Sequence, residues 1–303
     1  MTAHGPSSQP PVPGASVQSQ IDELWRRGMA IPHRGEASRF LTHVGSYRLR
    51  GYWQPFEDRS QDSDPPPFQT GTNFAAVMYR YNFDRELRAL LLDAFGHIEV
   101  SIRNVWALHL GANAEGGPHA HLNSRLFLDR YHANLSELHR AYDRHGRRAH
   151  RYDFADCPIW AIAEVMSFGQ LSRWYGDTNR TARQLMARRY GMDERVLRAA
   201  LRHLAPIRNI CAHHERLWDR EFITRMPVPN RLGEYPRPRR FFNQVDNGRL
   251  YNALVMVAHL TRVIEGNGQW AAHLLALMDG YPRIPQERMG FLANWKRFDI
   301  WQA

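Results

Sequence analysis

Apolar residues return every three or four positions through most of this 303-residue chain, whereas the two-residue alternation of a half-buried strand is short and rare. That periodicity confines the fold to an all-α, multi-helix bundle. An early pair of helices is expected at "VQSQIDELWRRGM" and "RGEASRFLTHVG", punctuated by Pro32 and stopped by Gly45. After "SYRLRGYWQPF" the acidic, Ser- and Pro-rich residues 57–72 read as a mobile loop. A long helical region follows from Phe74, with a break and a fresh N-cap at Asp84, until "GANAEGGPHA" ends it. Further helices are expected over 124–145, 158–168, 181–190 and 193–204, and Pro206 fits the first turn of the next one. Beyond Trp218, "MPVPNRLGEYPRPRR" is irregular and basic. Helices at 248–265 and 269–278 and a terminal arm rich in aromatics complete the reading. Two helices echo each other by ending in Ile-Arg-Asn, at 102–104 and 207–209.

The length allows a substantial core. The longest apolar candidate, "YNALVMVAHL", falls well short of the roughly 18 residues a membrane helix needs. The first residues lack the basic start and apolar run of a secretory signal, and 1–17 read as a disordered tail. Cys157 and Cys211, the only cysteines, offer neither a disulfide framework nor paired metal-ligand spacing, so a reducing cytoplasm and no cofactor or metal are expected. The net charge of +10 favours polyanionic partners, nucleic acid first among them. Lys296 is the only lysine among 40 basic residues. A codon bias toward arginine explains part of this excess, yet the planar guanidinium also suits phosphate.

The stretch "LAPIRNICAHHERLW", 204–218, concentrates the chemistry. On a helical wheel Ile207, Ile210, Cys211, Leu217 and Trp218 share one side with His214, which is expected to be a buried, hydrogen-bonded histidine. Arg208, Asn209, His213 and Arg216 lie opposite. His213 reads either as a solvated residue or as a reacting group beside an arginine and an asparagine. Those groups suit RNA cleavage by the neighbouring 2′-hydroxyl, which needs one proton removed, one donated and the phosphate oxygens stabilised. Histidine can take either proton step near neutral pH, and arginine can offer parallel donors. A two-fold dimer through the Arg208/His213 face would bring two histidines to one phosphate.

The spacing from Arg208 to His213 resembles the R-x4–6-H signature of HEPN-domain ribonucleases. The blocks "GSYRLRGYWQPF", "FDRELRALLLDAFGHIEVSIRN", "WAIAEVMSFGQLSRWYG", "APIRNICAHHERLW" and "IPQERMGFLANW" occur in the order of the Abi-like (AbiD/AbiF) family of bacterial abortive-infection proteins, and the resemblance spans 21–301. It implies one all-helical domain over 18–303, divided into an N-terminal helical pair (18–56), a HEPN-like core (72–218) and C-terminal helices with the aromatic arm (219–303). It also implies a metal-independent endoribonuclease toxin in phage defence, restrained by a structured non-coding RNA, with Arg208 and His213 catalytic and Asn209 the adjacent polar residue of the motif. Ser46 departs from the family, which usually has a second aromatic there.

Other basic groups are candidates for RNA contact: Arg216, Arg231, Arg237, Arg239, Arg240 and, as a lesser option, Arg103. The cluster 139–151 is equally basic. Arg103-Asn104-x4-His109 repeats the motif's spacing, but the wheel turns His109 toward Ile102 and Trp106, and Glu99 with Arg103 reads as a surface or interface ion pair. Tyr47, Tyr52 and Trp53 either stack bases or fill a core. Two further readings stay open: a module that holds a structured RNA without cutting it, and a metal enzyme using His203, Cys211 and His214.

Overall fold

The computed structural model describes residues 16–112, 115–146 and 152–302. Every named element among them is helical, and extended pairing is confined to isolated bridges such as Glu57 with Phe68, so the protein is all-α. The chain divides into two compact units, 1–86 and 87–303. Most of the expected tail, residues 1–15, lies outside the described residues. Its last two positions are instead ordered by a helix start: the Ser16 side chain accepts the Ser19 N–H at 3.1 Å and opens α1 (Val17–Arg26).

In the first unit α1 packs on α2 (Arg34–His43), and Gly45, at φ +84°, turns the chain into α3 (Ser46–Trp53). The sequence reading did not place α3. Its Leu49, Tyr52 and Trp53 are buried, so these two rings are core and only Tyr47 is exposed. The loop at 57–72 is irregular as expected, but its ends are pinned. Arg27 donates to Glu57 Oε1 at 2.9 Å and lies 4.4 Å from the Phe68 ring centre, while its carbonyl accepts the Phe68 N–H at 2.7 Å. The long helix α4 (Phe74–Gly111) runs without the break expected at Asp84. The Asp84 carboxylate is buried and accepts the Tyr52 hydroxyl at 2.6 Å, so it serves a tertiary contact and caps nothing.

The second unit holds the rest of α4, α5 (Tyr131–Ala141) with a π-helical turn at Tyr142–Gly146, α6 (Ile159–Glu164), α7 (Phe168–Asp177), α8 (Arg180–Arg189), α9 (Glu194–Ala212), α10 (Tyr251–Glu265) and α11 (Gln269–Gly280). Helix α9 packs along α7 and touches α8 and α10, and α5 packs on α7. Trp106, Phe127 and Trp174 form an aromatic knot, with Phe127 and Trp174 centroids 4.8 Å apart and the Trp106 indole N–H donating to Thr178 Oγ1 at 3.2 Å. Residues 251–261 of α10 are buried on every side, which explains an apolar run of that length inside a protein core. Among the described residues no helix is long and apolar enough to cross a membrane. The aromatic arm does pack: Trp295 and Trp301 are buried, their centroids 5.2 Å apart, and Tyr251 adjoins both.

Pro206 does not begin a helix but lies inside α9. Its missing N–H leaves the Arg202 carbonyl without the usual partner, and both residues are on the exposed side, where water can take that role. A continuous α9 of 19 residues is about 28 Å long and carries the motif to its far end.

Candidate functional site

Helix α9 stops at Ala212, six residues short of the wheel drawn through Trp218. His213 is the C-cap, with φ −90° and ψ 9°, and His214 turns into the left-handed region at φ +56°. The closing bonds are those of a Schellman motif: His214 N–H to Cys211 O at 3.1 Å and Glu215 N–H to Ile210 O at 2.9 Å. Glycine usually holds the His214 position because a Cβ there crowds the following carbonyl. This geometry overturns the expectation that His214 is buried: it is exposed, like His213 beside it. Leu217 and Trp218 are fully buried, but an irregular return of the chain takes them inside. Arg88 supports that return by donating to the Glu215 carbonyl at 3.2 Å.

Arg208 is held from the side. Its Nε donates to Glu99 Oε1 at 2.6 Å and one terminal nitrogen donates to Asn209 Oδ1 at 3.4 Å, while its side chain stays 32% exposed. The Glu99–Arg103 ion pair expected at a surface or an interface does form, but its carboxylate is buried and so does not lie on the surface. Its other oxygen accepts from Arg103 at 3.1 Å, and the same Arg103 nitrogen donates to the Met166 carbonyl at 2.7 Å. The Ile-Arg-Asn echo acquires a structural meaning here. Ile102 and Ile207 are both buried, both arginines converge on Glu99, and Asn104 and Asn209 are both exposed. A carboxylate between two guanidinium groups fixes their planes and leaves the outer edge of Arg208 able to donate. Sequence reasoning noticed Glu99 only as a partner of Arg103. The repeated tripeptide was the available signal that a second arginine would meet it.

The expected residues therefore fall into separate places. Arg208, Asn209 and His213 come together at the C-terminal end of α9, with Arg103 behind Arg208 through Glu99. Arg216 is not on a shared helical face with them, because it lies beyond the helix end and donates to the Trp218 and Asp219 carbonyls at 2.9 and 3.3 Å. Arg231 lines a cleft at the opposite end of α9. Arg239 binds Asn230 and Gln244, Arg240 pairs with Asp299, and Arg237 is exposed at the N-cap of the Pro238–Phe241 turn. His109 is half-buried and accepts from Arg189 Nε at 3.0 Å; burial and that cation push its pKa down. Part of the basic 139–151 cluster lies outside the described residues.

The trio His203, Cys211 and His214 does not assemble. His203 is buried against Thr224 Oγ1 at 2.9 Å, Cys211 is buried, and His214 is exposed beyond the helix. Burial pushes the His203 pKa down to about 4. Among the described residues no group of three or more His, Cys, Asp or Glu side chains could hold a metal ion.

The chain is an all-α protein that brings an arginine, an asparagine and a histidine to the C-terminal end of one helix. The family follows from the sequence match: the Abi-like protein family model covers residues 39–219, and the chain belongs to that family, which is linked to abortive infection. No curated protein and no solved structure matches the chain.

Proposed function

We propose that this protein is a HEPN-type endoribonuclease that cuts RNA without a metal, acts as a toxic effector in phage defence and is restrained by a structured non-coding RNA. The observation that carries the reading is that an anchored, partly exposed Arg208 and an exposed His213 lie five residues apart at the C-terminal end of α9, with Asn209 between them.

In this reaction the 2′-hydroxyl of one ribose attacks the adjacent phosphorus, and the 5′-oxygen of the next nucleotide leaves. The products are a 2′,3′-cyclic phosphate and a 5′-hydroxyl. His213 removes the nucleophile's proton or protonates the leaving oxygen. Arg208 donates to the non-bridging oxygens as charge builds on them, and Glu99 keeps its plane fixed so that little reorganisation remains for the reacting state. Asn209 positions the phosphate or the opposing histidine. Two copies of the chain meeting through this face supply the two proton-transfer groups.

His213→Ala tests the assignment. Losing a positioned acid or base costs about 10²- to 10⁴-fold in rate, so the variant is expected to retain its helical circular dichroism and lose RNA cleavage and toxicity. Cleavage at the wild-type rate would remove His213 from the mechanism. The non-cutting alternative, a protein that only holds a structured RNA, is favoured by the exposed arginines elsewhere on α9. It is distinguished by whether cyclic-phosphate ends accumulate.

A further inference from the structure

Helix α9 has a second basic end. Between α8 and the start of α9 lies a cleft of ≈ 700 Å³ lined by Arg180, Arg188, Arg195 and Arg231 together with the carboxylates Asp193 and Glu194. Glu194 is buried and already neutralised: Arg183, itself buried, approaches at 3.4 Å, with Arg180 at 3.5 Å and Arg195 at 3.9 Å. Arg188 and Arg231 form no ion pair with any described residue. The cleft has no aromatic side chain in its lining, so it offers nothing on which a base could stack.

From this cleft an exposed row runs along α9. Arg195, Arg198, Arg202, Pro206 and Asn209 are exposed, and His213 continues the same three- and four-residue steps past the helix end. At 100° per residue these six positions stay within about 80° of arc, one face of the helix. Arg198 and Arg202 likewise have no acidic partner among the described residues. Isolated exposed cations are ordinary; four with no acidic partner among the described residues, two in one cleft and two on a stripe that ends at the candidate reacting histidine, form a line for a chain of phosphates.

We infer that the exposed face of α9 is the path of a single RNA strand, whose phosphates are gripped in the Arg188/Arg231 cleft and led past Arg198 and Arg202 to His213. The inference rests on the proposed function for the identity of the cutting end. From residue 194 to 212 the helix rises about 27 Å, so at no less than about 3.4 Å per nucleotide, the spacing of a stacked strand, the cleft holds phosphates at most roughly eight nucleotides from the linkage at His213. Recognition here is of backbone charge and not of base edges, so length governs binding more than sequence does.

The test uses full-length His213→Ala protein, which keeps RNA intact, with fluorescent 12-nucleotide and 4-nucleotide RNA strands titrated over a range of salt. Arg202→Glu is expected to weaken 12-mer binding at least tenfold, and Arg188→Glu with Arg231→Glu is expected to lower the salt slope by about one for each phosphate that is no longer gripped. The 4-mer, which can occupy the cleft or the His213 end but not both, is expected to bind the parent at least tenfold more weakly than the 12-mer. Arg297→Glu makes the same net-charge change as Arg202→Glu at an exposed site on the terminal arm. An equal loss with that control, or an unchanged 12-mer affinity in the α9 and cleft variants, overturns the path. If the protein with His213 intact never cuts RNA while these binding differences hold, the nuclease reading fails and the strand path stands.

Discussion

Glu99 is one buried carboxylate holding two guanidinium groups, and everything proposed for Arg208 depends on it. Glu99→Gln removes the charge, leaving Arg208 without its counter-ion and Arg103 with only Glu164, 3.9 Å away. Breaking a buried pair costs about 3–5 kcal/mol, with the lower end expected here because Arg208 stays partly solvated. Urea titration should show that loss, and single-turnover cleavage should fall by up to about 10²-fold because Arg208 loses its fixed plane. Unchanged stability would mean that Glu99 does not hold the pair. The residues of this site were legible in part. Arg208, Asn209 and His213 follow from side-chain chemistry and spacing. The burial of Glu99 does not, because a charged residue one turn from an arginine looks the same on a surface helix as in an interior. Arg216 was misplaced for a related reason: the wheel treats a residue after the helix end as though the helix continued.

At the scale of the element, the informative feature is how α9 ends. Periodicity reports which residues go inside, and Leu217 and Trp218 do go inside, so the pattern could not reveal that the helix had stopped at Ala212. The usual punctuation is a glycine, and here His214 adopts the left-handed conformation instead. His214→Gly should relieve that strain and stabilise the protein by about 1 kcal/mol, read as a rise in Tm; destabilisation would show that the His214 side chain makes an interaction worth more than the strain. Helix α7 was missed although its signal was present. Ser167 accepts the Gln170 N–H, and the Gln170 side chain in turn accepts the Ser167 N–H at 3.0 Å, a capping box directly ahead of a helix that buries Phe168, Leu171 and Trp174. Ser167→Ala should cost about 1 kcal/mol, and no change in chemical denaturation would deny the cap its role. Asp84 and Pro206 carried the opposite lesson: residue types that usually mark helix boundaries occur inside helices when a tertiary hydrogen bond or an exposed face accommodates them.

For the molecule as a whole, burial also predicts how stability varies with pH. His121 and His203 are buried with pKa values pushed down to about 4, and burial lowers that of His259 as well. In the unfolded chain these rings take up protons near pH 6.5, and in the folded protein they remain neutral to lower pH. The unfolded state therefore binds more protons below pH 6.5, and stability is full above that value and falls progressively as pH drops toward 4. Each of the two strongest shifts contributes on the order of 2–3 kcal/mol over that window. Denaturation midpoints at pH 7.5 and 5.0 check this, and His203→Gln should flatten the dependence. The all-α class was legible because period-3.6 patterning is a whole-chain property that survives local misreadings of helix ends. The distribution of charge along α9 was not, since it depends on which arginines find carboxylates in space. The central claim is that an outward imidazole beside a fixed guanidinium directs a ribose hydroxyl onto its own phosphate. Its most direct test is cleavage, in the presence of a chelator, of one RNA strand and of the same strand with 2′-deoxyribose at the cut position. The account predicts that the RNA is cut to a 2′,3′-cyclic phosphate and the substituted strand is left whole; cutting of both strands at the same rate would contradict it.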